Sequence, residues 1–351
     1  MDFVFTDEQV MIADTVSAFL VESATSERTR AAMAADGLDR SLWASFCEDL
    51  GLAGIGVPEE SGGVGLGMVE QAIVAEAAGA TVAPLPLLGH AMLVRAIVAG
   101  GSHEQKDTWL SRLVSGRIVG AVARAEHWQD KGSSLSLVAD FVPHGASADL
   151  IMVCGEARAW LVDAAQPQVT RIGHVTMDQT RPLATVTLTE ARVEELPDGP
   201  AAIAAAEVTG LLSLSAEALG VAQEALDRTV AYSKERIQFG RPIGSFQAYK
   251  HRLADMMVLI EQARSAVYWA ACALDENDAD AWLALHAAKS FCADTAFMCA
   301  ANMIQLHGGI GFTWEHDAHL FFKRARSIQT LMGSGNHHRE KVAAMVLGEA
   351  A

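Results

Sequence analysis

Residues 236–247 read Arg236-Ile237-Gln238-Phe239-Gly240-Arg241-Pro242-Ile243-Gly244-Ser245-Phe246-Gln247, and residues 305–315 read Gln305-Leu306-His307-Gly308-Gly309-Ile310-Gly311-Phe312-Thr313-Trp314-Glu315. The first stretch predicts a long helix ending at Gly240, a Pro/Gly turn, and a new helix starting near Ser245. An Arg, two Gln side chains and a helix N-terminus then fall close together. That grouping suits a pyrophosphate, because guanidinium forks and free N–H groups both favour it. In the second stretch a helix gives way to glycines whose backbone can lie close against a ligand. A glycine loop after a helix is by itself an ordinary C-cap. Taken alone, each stretch is a weak signal; together, roughly 70 residues apart in a helical region, they carry more.

The flanking chain supports a bundle. Ala201–Arg236, Phe246–Leu274 and Ala279–His307 each carry a helical apolar stripe, and a last helix is expected over His337–Leu347. Helices of this length exceed the globular average and suit a bundle. From Val119 to Val193 come short runs rich in Val, Leu and Ile, such as Leu150-Ile151-Met152-Val153 and Ala184-Thr185-Val186-Thr187-Leu188, which predict strands. A Pro/Gly link at Leu196–Pro200 closes them. Nearer the N-terminus, Thr6 and Gln9 form a capping box ahead of an apolar helical period. Further helices are expected over Leu42–Leu50, stopped by Gly51, and over Met68–Ala80 and Ala91–Val98. The expected architecture is α+β: an N-terminal helical domain (1–117), a small middle β-domain (118–199) and a C-terminal long-helix bundle (200–351).

Composition narrows the function. Of 351 residues 51% are hydrophobic and 20% charged, which suits a globular chain. No uninterrupted apolar run approaches the roughly 18 residues a membrane span needs. The first residues, Met1–Glu8, lack the basic and apolar regions of a secretory signal. A formal charge of −17 opposes nucleic acid and anionic lipid. An anionic ligand would have to be met by local clusters, at Lys234, Arg236, Arg241, Lys250 and Arg252 or at Lys323, Arg324 and Arg326. The five cysteines show neither metal-ligand spacing nor a disulfide framework, so buried free thiols in a reducing cytoplasm and no metal are expected.

The two C-terminal stretches resemble the signature segments of the acyl-CoA dehydrogenase family. By that resemblance Arg236, Phe239, Phe246, Gln247, Gln305, Gly308 and Gly309 hold the ADP part of FAD, reaching across a dimer interface into a neighbouring subunit's site. The segment Gly51–Ile55 through Pro58–Gly63 is similar to a loop of the family's N-terminal domain, and the helical–β–helical order also matches.

Other family features are missing. Where a Thr-Glu pair and a Gly-Ser-Asp should contact the flavin ring, the chain reads Ala123-Arg124-Ala125-Glu126-His127-Trp128-Gln129-Asp130-Lys131-Gly132-Ser133-Ser134. A later Gly-x-Lys-x-aromatic stretch is absent. Oxidising the α,β bond of a thioester requires a carboxylate to take the α-proton. The family's Glu-Gly-Thr turn here reads Met332-Gly333-Ser334, and a thioether accepts no such proton. The other place for that Glu, on the helix before Arg236, falls at or near Gly210. Glu207 lies one turn away and Glu217 two turns on, so either serves only if the helix register shifts. Glu315, His316 and Asp317 read as loop or helix-start residues that position the FAD segment.

Determinants kept on the lending side and lost on the receiving side resemble the short subunit of heterotetrameric (α2β2) acyl-CoA dehydrogenases. The resemblance implies an acyl-CoA thioester substrate, a second acyl-CoA dehydrogenase chain as partner and an electron-transfer flavoprotein as acceptor. Phe141–His144 and Met177–Arg181 are similar to members acting on steroid side-chain or other bulky CoA thioesters. Two alternatives stay open: a self-sufficient homo-oligomer with a relocated base, and a catalytically silent acyl-CoA- or protein-binding scaffold.

Overall fold

A computed structural model describes residues 4–348. Residues 1–3 and 349–351, at the outer edges of the first and last expected domains and at the start of the stretch read for a signal, lie outside it. The chain forms two compact units: one of Met1–Ser26, Ala72–Ala83 and Leu211–Ala351, the other of Glu27–Gln71 and Pro84–Gly210. Helices come first, then strands, then helices again, as the hydrophobic patterning predicts.

In the second unit, helices α2 (Ser26–Ala34), α3 (Arg40–Leu50), α5 (Leu87–Gly100) and α6 (His103–Val114) accompany strands β1 (Gly120–Arg124), β2 (Trp128–Asp130), β3 (Ser134–Pro143), β4 (Leu150–Cys154), β5 (Ala159–Asp163), β6 (Val169–Gly173), β7 (Leu183–Arg192) and β8 (Glu194–Glu195). One sheet runs β1-β4-β5-β8, with β1 parallel to β4, and the other runs β2-β3-β7-β6, antiparallel throughout. All five residues of β4 are buried, and its period of two explains how. Leu150, Met152 and Cys154 join a cluster with Leu93, Ile97, Leu110 and Leu113 of α5 and α6. Ile151 and Val153 face the other way, into a cluster with Leu135, Leu137, Val186 and Leu188 of the second sheet. The apolar run 150–154 is thus a strand sandwiched between helices and a sheet.

The other unit is the bundle. It holds α1 (Asp7–Ser23), most of α4 (Met68–Thr81), the C-terminal part of α7 (Gly199–Glu235), then α8 (Gln247–Asp275), α9 (Ala281–His307), α10 (Ala318–Thr330) and α11 (Gly335–Leu347). The Thr6/Gln9 capping box forms in both directions. By length and composition α7 matches a membrane span, yet 72% of its most apolar window is buried inside the protein, which marks a core helix. Burial on every side likewise sets α9 in the bundle centre: Ala284, Leu285, Ala288, Cys292, Ala296, Cys299 and Met303 are all fully buried.

The structure corrects the sequence reading in places. Helix α7 stops at Glu235, and residues 237–242 form a two-residue hairpin, β9 (Ile237–Gln238) against β10 (Arg241–Pro242). Phe239 and Gly240 at its tip both have positive φ, 53° and 76°, the geometry that tight hairpin turns require. Helices α2, α6 and α10 were not foreseen, although Ser102 and Gln105 form a capping box at the start of α6. All five cysteines are free, four of them buried.

Two glycines set the approach of α4 to α7. A Cβ on Gly220 would lie 1.9 Å from the Glu76 carbonyl oxygen, and one on Gly79 would lie 2.1 Å from that of Glu217. Neither neighbour is a flexible side-chain end, so the backbones themselves would have to part. Gly220→Ala is therefore expected to destabilise the protein by about 2 kcal/mol or more, seen as a lower urea midpoint. An unchanged midpoint would show that the helices do not touch there.

Candidate functional site

The hairpin 237–242 reverses the chain between α7 and α8. The Arg236 N–H donates to the Tyr232 carbonyl at 2.9 Å, continuing the helical pattern one residue, and the Ile243 N–H returns to the Arg236 carbonyl at 2.9 Å. Phe239 is 91% exposed and meets Phe246 edge-on at 6.1 Å. The Arg241 guanidinium lies 4.0 Å over the Phe246 ring. A 3-10 turn, Ile243–Ser245, leads into α8 at Gln247, and its N-cap residue Phe246 supplies no side-chain cap. The first turn of a 29-residue helix therefore presents uncapped N–H groups beside exposed Arg236 and Gln247.

The glycine segment starts where α9 ends. Gly308 takes φ 66° and ψ −142°, and nothing lies within 4 Å of where a Cβ would stand on Gly308 or Gly309. Both glycines and Gln305 are exposed. The fold draws this segment to the first one: the Tyr249 hydroxyl, in the first turn of α8, donates to the Leu306 carbonyl at 3.2 Å. The ring of Tyr232 stacks on that of His307 at 4.4 Å and 22°. These aromatic residues escaped the sequence reading, where only their proximity to the two stretches could have drawn notice.

After the glycines, Glu315 is exposed, while Asp317 pairs with Arg228 at 3.3 Å and accepts from the Ser26 hydroxyl at 2.6 Å. His316 lies 4.5 Å from the His307 ring and accepts from the Ala318 N–H at 3.1 Å. These groups brace the loop.

At the positions where the family contacts the flavin ring, Ala125 is buried and its N–H donates to the Cys154 carbonyl at 3.1 Å. Glu126 and His127 are exposed. Strand β2 follows at once, its Trp128 edge-on to Trp160 at 5.8 Å, and Asp130 pairs with Arg158 at 2.5 Å. No hydroxyl stands at Ala125 to meet a ring.

The carboxylates near the expected base positions differ in fate. Glu207 is half-buried on α7. Glu217 is buried and ion-paired with buried Arg324, whose other nitrogen reaches the Ala83 carbonyl at 3.5 Å. A carboxylate held by a guanidinium in the core is a poor proton acceptor. Met332 occupies a turn with φ 56°, followed by Gly333 at 104°. His338 Nε2 donates to the Met332 carbonyl at 3.0 Å, so its Nδ1 accepts the proton carried by His286 Nδ1, 2.9 Å away. The Lys289 ammonium donates to the carbonyls of Ile328 and Gly333, each at 3.1 Å. Burial holds His338 down to about 4 and Lys289 down to about 8. The turn is thus rigidly held but carries no carboxylate.

The bundle unit also holds a cavity of about 920 Å³ lined by Phe5, Ile73, Gly220 and Tyr268, with carboxylates Asp14, Glu76, Glu224 and Asp227 against one guanidinium, Arg264. Glu76 accepts from Arg264 at 2.6 Å and from the Tyr268 hydroxyl at 2.7 Å. That charge balance disfavours phosphate-bearing ligands. Among the described residues no three His, Cys, Asp or Glu side chains gather as metal ligands.

Comparison with known proteins bears on these features. Residues 6–117 match the family described as "Acyl-CoA dehydrogenase, N-terminal domain", and residues 209–347 match "Acyl-CoA dehydrogenase, C-terminal domain". The acyl-CoA dehydrogenase IpdE2 of Mycobacterium tuberculosis is 40% identical over 332 residues, covering 93% of this chain and 94% of that protein. A crystal structure of the ChsE4-ChsE5 complex from Mycobacterium tuberculosis superposes with a TM-score of 0.90 at 26% identity, covering both chains in full (100% each). The Tcur3481-Tcur3483 steroid ACAD does so at 0.86 and 29%, covering 97% of this chain and 98% of that one.

The cluster under the 332–334 turn has a measurable signature. Because the folded pKa of Lys289, about 8, lies below its ordinary 10.5, the unfolded chain holds a proton across that window that the folded chain lacks. Stability from this group therefore rises with pH between the two values, by at most about 1.4 kcal/mol per pH unit. The buried thiols Cys47, Cys154 and Cys299, pushed up to about 12, work in the opposite direction above pH 9. The difference between wild type and Lys289→Met isolates the lysine: urea midpoints should show a steeper rise, or a shallower fall, in the wild type from pH 8 to 10. Parallel curves would mean that Lys289 stays charged when folded.

Proposed function

The chain belongs to the acyl-CoA dehydrogenase family, and we propose that it serves as one subunit of an FAD-dependent enzyme that desaturates an acyl-CoA thioester. In this reading it lends contacts for the ADP end of FAD to a partner chain and brings no base of its own. The observation that carries it is an asymmetry. Arg236, Phe239, Gln247, Gln305, Gly308 and Gly309 lie exposed on this chain, while Met332 stands in the turn where the family's base belongs and Glu217 is committed to Arg324.

These residues fit the cofactor's pyrophosphate end. Arg236 offers a forked, permanently charged donor, the uncapped start of α8 adds backbone N–H groups, and the glycines leave open backbone where a Cβ would crowd a ligand. Gln247 and Gln305 provide neutral hydrogen bonds that fix orientation. FAD, when bound, supplies the acceptor for the hydride leaving the substrate's β-carbon. The α-proton goes to a carboxylate of the partner chain, since this chain's turn holds a thioether, the Ser334 hydroxyl that caps α11, and backbone carbonyls, but no carboxylate. The assembly is an α2β2 heterotetramer, in keeping with similarity to the ChsE4-ChsE5 complex. Likeness to a steroid ACAD supports a bulky, steroid side-chain type of CoA thioester as substrate. The proposal also places the enzyme in the cytoplasm, with an electron-transfer flavoprotein as its electron acceptor.

Flavin absorbance and native mass, measured on the chain alone and after co-expression with a full-length family member, test the proposal. The expected result is a colourless chain that turns yellow only in a mixed tetramer, with fewer flavins than chains. A yellow homo-oligomer with one FAD per chain and activity abolished by Glu207→Gln would establish a relocated base instead. A colourless chain in every mixture would leave only a silent scaffold. In the loaded assembly Arg236→Ala should weaken FAD binding by about tenfold or more, the loss expected for one charge-assisted hydrogen-bond donor.

A further inference from the structure

We infer that Tyr232, Tyr249 and His307 are positioning residues that lock the two ADP-facing segments into one rigid platform, an inference that rests on the FAD reading above. Gly308 and Gly309 have no side chains, and nothing packs where a Cβ would stand. Their backbone is therefore placed by the 3-10 turn Gly308–Phe312, whose Gly308 N–H donates to the Gln305 carbonyl, and by what holds that turn's ends. At its start, the Leu306 carbonyl belongs to the last turn of α9, where carbonyls lack helical partners, and the Tyr249 hydroxyl supplies one at 3.2 Å. His307 Nδ1 donates to the Met303 carbonyl at 2.7 Å, which fixes the ring against Tyr232. The far end of the loop closes on the same ring through His316, 4.5 Å away.

Each of these residues joins one ligand-facing element to another. The Tyr232 carbonyl receives the Arg236 N–H at 2.9 Å while its ring holds His307, so the arginine and the glycines share a single mount. Tyr249 lies two residues beyond Gln247 in the first turn of α8, its own N–H bonded to the Phe246 carbonyl at 3.1 Å. Its hydroxyl thereby ties the uncapped helix start to the glycine loop. A ligand contacting both segments needs their spacing held to within a fraction of an ångström. These side chains hold it without having to touch the ligand.

The test compares Tyr232→Leu, Tyr232→Phe and Tyr249→Phe with wild type in the flavin-loaded assembly, reading dissociation constants for FAD and, by competition, for ADP. Tyr232→Leu should lose about tenfold for both ligands and in the same proportion, because the ADP end is what the platform grips. Tyr232→Phe keeps the stacked ring and should retain wild-type affinity, a rescue that mere loss of stability would not produce. Tyr249→Phe removes one hydroxyl and should lose a smaller factor, about threefold; it keeps the question answerable should Tyr232→Leu fail to fold. Leucine and phenylalanine variants that bind alike, or a Tyr249→Phe protein that matches wild type, would overturn the inference. Arg236→Ala, measured alongside, separates the failures: if it too is silent, the FAD-lending reading falls. If it weakens binding while the tyrosine variants do not, only the platform falls. A wild-type assembly that takes up no FAD overturns both.

Discussion

Glu217 is the junction on which the bundle turns. Its carbonyl oxygen lies against Gly79 of α4 so closely that no Cβ fits between them, and its carboxylate holds Arg324 of α10 in the core. Arg324 in turn reaches the carbonyl of Ala83, just beyond α4. Three helices are thereby fixed to one another at a single residue of α7. Such a buried pair adds little net stability, because both charges must be desolvated, but removing one partner leaves the other stranded at a cost of several kcal/mol. Its effect is to forbid sliding. α7 carries Tyr232 near its end, Arg236 follows directly after it, and α10 begins at Ala318 directly after His316 and Asp317, so this fixed register sets the frame in which the hairpin and the glycine segment meet.

That commitment also bears on the chemistry proposed for the chain. A carboxylate serves as a base when it is free to gain a proton, and one ion-paired in the core loses its guanidinium interaction as it does so. Glu217 is spent on structure. At the other expected place, the turn at Met332 keeps a defined backbone geometry, positive φ at both Met332 and Gly333, with its carbonyls gripped by Lys289 and His338. The turn has a fixed backbone and carries a thioether at Met332. The backbone of this turn is held by hydrogen bonds that do not involve the Met332 side chain.

How much of this could be read from the sequence follows from which forces are local. The capping box at Thr6 and Gln9, the left-handed stop at Gly51 and the doubly buried strand 150–154 depend on neighbours within a few residues, and all were legible. The overrun of α7 to Gly240 was a failure of the same kind of reasoning: Ile237 and Phe239 continue an apolar helical period, yet they lie exposed on a hairpin whose tip holds Phe239 at φ 53°. Helix α10 was missed although Phe321, Arg324, Ala325 and Ile328 bury one face, because an arginine in that stripe breaks an apolar pattern. The pairing of Glu217 with Arg324 joins positions 107 residues apart, and nothing in either neighbourhood announces it. The residues proposed to face the cofactor are read from the sequence by type and order, whereas the aromatic contacts between their two segments exist only in three dimensions.

The remaining tension is electrostatic. A chain of net charge −17 repels a pyrophosphate at long range, yet the proposed contacts serve one. The resolution lies in distance: at physiological ionic strength exposed charges are screened beyond about 8 Å, so the distant acidic surface weighs little once a ligand is seated. What weighs is the set of groups at contact. There the chain concentrates Arg236 beside the hairpin and Arg241 on it, adds Lys250 and Arg252 in the first turns of α8, and leaves the start of that helix without a side-chain cap. The acidic cavity lined by Asp14, Glu76, Glu224 and Asp227 shows the opposite local choice within the same unit. Net charge therefore bears on which ligands are drawn in from afar, and local placement on which one the proposed site would hold. An exposed, cationic, side-chain-poor patch on an acidic protein suits a surface completed by another chain, which would exclude water and strengthen each of these contacts beyond what they achieve in the open.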